Sequence, residues 1–205
     1  MTSDRLLEQF KEIISNAAPG NVFIPSDFAK IASAATISVY LNRLKNSGEL
    51  VSCGRGLFMK PRFSTLLNES VPPSTNDIAR AIARKHGWTI IPHGDTALNM
   101  LGLSTQVPNS FSYISDGPYK QYSIGKTELQ FLHTNRISEL KNTSYETALT
   151  IQALKSLGKD SITDKDIQII RRKLSTESKE KLLTEGQYAT AWVCEYLKLI
   201  RTGGK

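Results

Sequence analysis

The chain has 205 residues, a net charge of +7 and 40% apolar content, enough to bury a core in one large or two small domains. No apolar run approaches the roughly 20 residues that a membrane span needs, and the first ten residues carry Asp4 and Glu8 where a secretory signal would be apolar. Two widely spaced cysteines, Cys53 and Cys194, without a Cys-x-x-Cys pair or a cluster of metal ligands, point to a reducing, cytoplasmic setting with no disulfide, metal or other cofactor.

Charge is unevenly distributed. Residues 1–62 hold eight Lys/Arg against five Asp/Glu, residues 63–140 six against six, and residues 141–205 twelve against eight. Two basic ends around a neutral middle suit a polyanionic partner touched at two places. Lys-rich helices at the C-terminal end would equally serve solubility.

Leu6, Leu7, Phe10, Ile13 and Ile14 recur at helical spacing, so residues 3–17 are predicted as a first helix. Val22-Phe23 can add a short strand. A short helix follows from Phe23 to Ala32, with Pro25, Ser26 and Asp27 as cap and first turn. After a break at Ser33-Ala34-Ala35, a second helix runs from about Thr36 to Asn46, burying Ile37, Leu41 and Leu44. Ser47-Gly48 ends it, and residues 49–61 read as a hairpin with Gly54-Arg55-Gly56 at its tip.

This order is that of a winged helix-turn-helix, and it makes double-stranded DNA the leading partner. The buried stripe turns Thr36, Ser38, Val39, Tyr40, Asn42 and Arg43 partly or wholly outward; of these, all but Val39, together with Lys45, are the candidate DNA-reading set. Arg55 is the wing contact, flanked by glycines that permit close approach. A small core or a protein-binding winged helix would produce the same element order.

Pro72-Pro73 cannot continue a helix or a central strand, so residues 63–75 are predicted as a linker and residues 76–205 as a second domain. Ser74 or Thr75 caps a helix with Ile78, Ala79, Ile82 and Ala83 on one face. Strands are expected over Gly87–Pro92, Ser112–Ile114, Gln121–Ile124 and Glu128–His133, with a short helix over 94–101 and an extended run from Leu103 to Pro108. From about residue 144 to 203 the pattern is helical. Thr163 is a candidate N-cap, with Asp164 and Asp166 in the first turn of its helix and Arg171, Arg172 and Lys173 in the last, each charge opposing the dipole end it stabilises. The last helix is expected to pack Tyr188, Ala191, Trp192, Tyr196 and Leu199. The fold class is therefore α+β: a winged helix-turn-helix over 1–62, then a domain with a small sheet and a C-terminal helical bundle.

The run Ile78–Ala83, with Gly87-Trp88, Pro92, Gly94–Asn99 and Leu101–Pro108, resembles the AbiEi-type antitoxin family. That family also carries a winged helix with a Gly-containing wing followed by Pro, matched here by Gly54–Phe58 and Pro61. The likeness covers roughly residues 3–140 and is weaker beyond. It implies an antitoxin of a type IV toxin–antitoxin pair, used in abortive infection against phage. The winged domain would bind operator repeats in its own promoter and repress it. The C-terminal region would counter a nucleotidyltransferase-like toxin without a stable complex. Arg171, Arg172 and Lys173 are the candidate antitoxicity surface. The oligomeric state stays open, a monomer binding DNA cooperatively being one arrangement.

Catalysis is not expected. His93 beside Asp95 is at a poor spacing for metal ligation, and Asp95 is more simply a cap; no P-loop, nucleophile elbow, GxGxxG or HExxH occurs. Tyr113, Tyr119 and Tyr122 near Lys120 and Lys126 could stack on single-stranded nucleic acid, although strand aromatics are usually core. The alternative readings are a ligand-responsive winged-helix regulator without a toxin partner, and a nucleotide-modifying enzyme with a DNA-targeting module.

Overall fold

The computed structural model describes residues 3–66, 68–106, 108–135 and 142–203. The fold is α+β, and the chain divides into two compact units, the first ending at Gly87 and the second beginning at Trp88.

In the first unit, helix α1 (Ser3–Asn16) turns Phe10 and Ile14 fully inward. Strand β1 (Val22–Phe23) follows, then a one-turn 3-10 helix, Pro25–Phe28. Sequence alone predicts a longer α-helix there. The bonds Asp27 N–H to Ile24 C=O, Ala29 to Ser26 and Ile31 to Phe28 are all i to i−3, the tighter pattern of short connectors. Ser33, extended at φ −71° and ψ 156°, then caps helix α2 (Ala34–Asn46).

Strands β2 (Val51–Gly54) and β3 (Leu57–Met59) form the hairpin, and β1 pairs with β3, giving the order β1-β3-β2. The core beneath is aromatic: Phe10 stacks on Phe28 at 4.7 Å and on Tyr40 at 5.2 Å, beside Leu41, Leu44, Leu50 and Phe58. Lys60 closes the base of the hairpin, its ammonium donating to the carbonyls of Ser15 and Ala17 at 2.8 and 2.7 Å. A cation there also meets the negative end of the α1 dipole.

The segment expected as a linker carries a small hairpin instead, β4 (Phe63–Ser64) with β5 (Glu69–Ser70). Helix α3 (Thr75–His86), capped by Ser74 and buried along Ile78, Ala79, Ala81, Ile82 and Ala83, belongs to the first unit. This corrects the boundary expected near residue 75. Beside that buried apolar face, the Arg84 guanidinium donates to the carbonyl of Val22 at 2.9 Å and to Asp27 at 3.3 Å.

The second unit is built on a four-stranded sheet: β6 (Ile90–His93), β7 (Ser110–Ser115), β8 (Lys120–Ile124) and β9 (Thr127–His133), in the order β6-β7-β9-β8. β7 and β9 run parallel and the other two pairs antiparallel. One face buries Tyr113, Leu129 and Phe131, with Trp88 and Tyr122 edge-on to Phe131. Helix α4 (Asp95–Leu101) follows Gly94 and ends at left-handed Gly102. Val107, near the end of the run expected to be extended, lies outside the described residues.

Helices α5 (Tyr145–Leu157), α6 (Asp164–Lys173), α7 (Thr176–Glu185) and α8 (Ala191–Thr202) complete the unit. The N-cap expected at Thr163 forms, and Asp166 adds a capping box with it. The packed stripe of α8 is Val193, Leu197 and Ile200, one register away from the aromatic stripe expected. Tyr188 is 78% and Leu199 39% exposed, while Trp192 and Tyr196 are only partly buried. Aliphatic side chains at i, i+4 and i+7 fill the narrow space against Leu154 and Leu182 better than large polar-tipped rings.

Glu185 ties two of these helices. Its carboxylate accepts the Ser144 N–H at 2.9 Å and the Ser144 hydroxyl. Burial pushes its pKa up, but the hydrogen bonds from Ser144 and Thr147 outweigh this together and hold it below the ordinary value. A depressed carboxylate stabilises the fold above its unfolded pKa of about 4.3 and loses that contribution as pH falls through the folded value. The stability gap between the protein and Glu185→Gln, read from urea unfolding, should hold from pH 7 to 5 and shrink below about pH 4. A gap that does not change with pH would show the carboxylate to be idle.

Candidate nucleic-acid interface

Helix α2 presents a continuous outer face. Ala35, Ser38, Val39, Asn42, Arg43 and Asn46 recur at i, i+3, i+4 and are all exposed, because Ile37, Tyr40, Leu41 and Leu44 take the opposite side into the core. Arg43 and Lys45 flank that face and sit in the last turn, where cations meet the favourable end of the helix dipole. From Phe28 to Asn68 the sole carboxylate is Glu49, and it is engaged at 2.9 Å by Lys11 of α1.

The candidate DNA-reading residues are therefore mostly, but not wholly, assembled. Ser38, Asn42, Arg43 and Lys45 are exposed on α2, and Arg55 is exposed in the hairpin turn. Tyr40 is not part of this face. At 8% exposure and stacked on Phe10, it is a core residue: it lies three residues after Ile37 and four before Leu44, on their side of the helix. Thr36 is half-buried and spends its hydroxyl on the Ser33 cap, 2.9 Å away. Asn42 folds its amide back onto the Ser38 carbonyl at 2.9 Å, which takes up one of its two N–H donors.

Val39 completes the face, 65% exposed at its centre. A β-branched apolar side chain left in water between Ser38 and Asn42 has the chemistry to meet a thymine methyl. The outward direction of Val39 is readable from spacing, but residue-type reasoning overlooks an apolar side chain as a reader.

The β2–β3 hairpin turn is a tight connection. Gly54 pairs with Leu57, a bulge lies between Ser52 and Gly54, and Gly56 is left-handed at φ +72°, a conformation that suits glycine. Burial pushes the neighbouring Cys53 thiol up to about 11, so at neutral pH it is protonated and a poor nucleophile.

In the second unit, the candidate antitoxicity residues separate. Arg172 and Lys173 are exposed. Arg171 instead turns its guanidinium to the carbonyls of Ile200, at 2.9 Å, and Arg201, capping the end of α8. Of the expected stacking aromatics, Tyr113 is fully buried, Tyr122 is half-buried, and Tyr119 is 70% exposed. Tyr119 lines a groove of about 400 Å³ with Lys120, Gln121, Gln130, Phe131 and Leu132. His93 bonds Gln152 at 3.2 Å rather than Asp95. Among the described residues no cluster of three or more His, Cys, Asp or Glu is placed to hold a metal, and no helix is long and apolar enough to cross a membrane.

A model of a family of unknown function (DUF6088) matches residues 9–182. The chain belongs to this family. The DUF6088 match takes in α2, the β2–β3 hairpin, α3, the sheet and the groove beside Tyr119, and stops short of α8. No curated protein matches the sequence.

Proposed function

We propose that this protein is a cytoplasmic, non-catalytic DNA-binding repressor of its own promoter, and that it acts as the antitoxin of a type IV pair. The observation that carries the DNA reading is the outer face of α2. It is exposed, made of small and polar side chains around Val39, edged by the cations of Arg43 and Lys45, and belongs to a stretch whose one carboxylate is already paired. The order helix, strand, turn, helix, hairpin, with β1 added beside β3, is the arrangement a winged helix uses to lay its second helix in the major groove.

The antitoxin reading rests on the resemblance of residues 3–140 to AbiEi-type antitoxins. In it the second unit counters a nucleotidyltransferase-like toxin without a stable complex, and Arg172 and Lys173, both exposed, are the candidate cations for a partner surface.

Fluorescence anisotropy with a labelled duplex from the chain's own promoter tests the DNA reading. Binding should be tighter than to a scrambled duplex, and log Kobs should fall steeply and linearly with log salt, by about 0.9 for each phosphate neutralised. Equal, salt-insensitive affinity for both duplexes would end the repressor account. A toxin encoded beside this gene, co-expressed with it, should lose its growth inhibition; unrelieved toxicity would leave the DNA reading standing alone.

A further inference from the structure

We propose that Lys85, from helix α3 outside the winged arrangement, is a second phosphate-binding cation at the wing tip, forming a clamp with Arg55; this rests on the DNA-binding reading. The Lys85 ammonium donates to the backbone carbonyl of Arg55 at 3.0 Å. A Cβ on Gly56 would stand 3.3 Å from that nitrogen, so the glycine leaves the space the ammonium occupies. The adjacent Arg84, bonded to Val22 and Asp27, fixes the end of α3 against the same unit.

An ammonium has three donors and no acceptor, so two remain after the Arg55 carbonyl is satisfied. Lys85 is exposed, and among the described residues it has no carboxylate partner; the Arg55 side chain is exposed and likewise unpaired. A neutral carbonyl thus holds one cation at the turn that carries another, and among the described residues no carboxylate pairs with either. A phosphate seated between them would pair with both, accepting charge-assisted hydrogen bonds from each.

The test uses the full chain, the promoter duplex and a salt series, with Lys85→Gln, Arg55→Gln and the double variant compared at equal folded fraction by circular dichroism. Each single change should weaken binding about tenfold, the scale of one charged hydrogen bond, and make the salt slope shallower, the double variant losing about 0.9 in all for the one phosphate they share. In the double variant the two effects should fall short of their sum, because both cations meet the same phosphate, while Lys85→Gln should still weaken binding in the Arg55→Gln background. Unchanged affinity for Lys85→Gln overturns the clamp, as does an effect that vanishes once Arg55 is gone, since Lys85 would then only shape the turn. Failure of the unaltered protein to bind the promoter would instead remove the DNA reading itself.

Discussion

Tyr40→Ala should destabilise the first unit by about 3–5 kcal/mol, the cost of emptying a buried aromatic site. Tyr40 is 8% exposed and stacks on Phe10, which in turn stacks on Phe28. Removing the ring therefore leaves a cavity at the junction of α1, the 3-10 turn and α2, where backbone on three sides limits relaxation. The change is also large against a typical domain stability of 5–15 kcal/mol. Urea unfolding followed by circular dichroism measures it. A variant as stable as the parent but unable to bind the promoter would restore Tyr40 to the reading face and refute its place in the core.

The second large effect is on binding. Asn42→Ala and Arg43→Ala should each cost about 1–3 kcal/mol of promoter affinity if they read base edges, with melting temperatures close to the parent because both side chains are exposed. The two differ in kind. Arg43 sits at the edge of the face, so a shallower salt slope with little change in sequence preference would mark it as a phosphate contact. Asn42 can meet an adenine edge with its second N–H and its side-chain carbonyl, so its loss should relax discrimination at one base pair. Affinity unaltered by both changes would move recognition away from α2.

The contrast between Tyr40 and its neighbours shows how far pattern reasoning reaches. Spacing alone placed Ile37, Leu41 and Leu44 inside and Ser38, Asn42 and Arg43 outside, because a 3.6-residue repeat leaves little freedom for the centre of each face. Tyr40 lies nearer the boundary, where an aromatic ring turns to whichever side offers a partner, and that partner, Phe10, is thirty residues away. The register of α8 failed for the same reason: Val193, Leu197 and Ile200 were chosen by the shape of the space against Leu154 and Leu182, which no local window contains.

The same limit applies to the candidate interface. Ser33 caps α2, which begins two residues before the start that spacing gives it, but the exposed Arg55 in its Gly-flanked turn follows from residue types that few other local structures favour. Arg171 did not, because the α8 carbonyls it caps are brought to it only by packing.

Periodicity, caps and glycines act over a few residues, and they were enough for the α+β class, the order of elements in the first module and the helical end. Packing across the chain was needed to join α3 to the first unit, to run β7 and β9 parallel, and to bring Lys85 to the hairpin turn. Those outcomes bring Arg84 and Lys85 to carbonyls some 62 and 30 residues away, and pair strands separated by a whole hairpin arm. Long-range bonds of this kind are set by the balance of burial and loop closure over the whole chain, which local propensity does not encode.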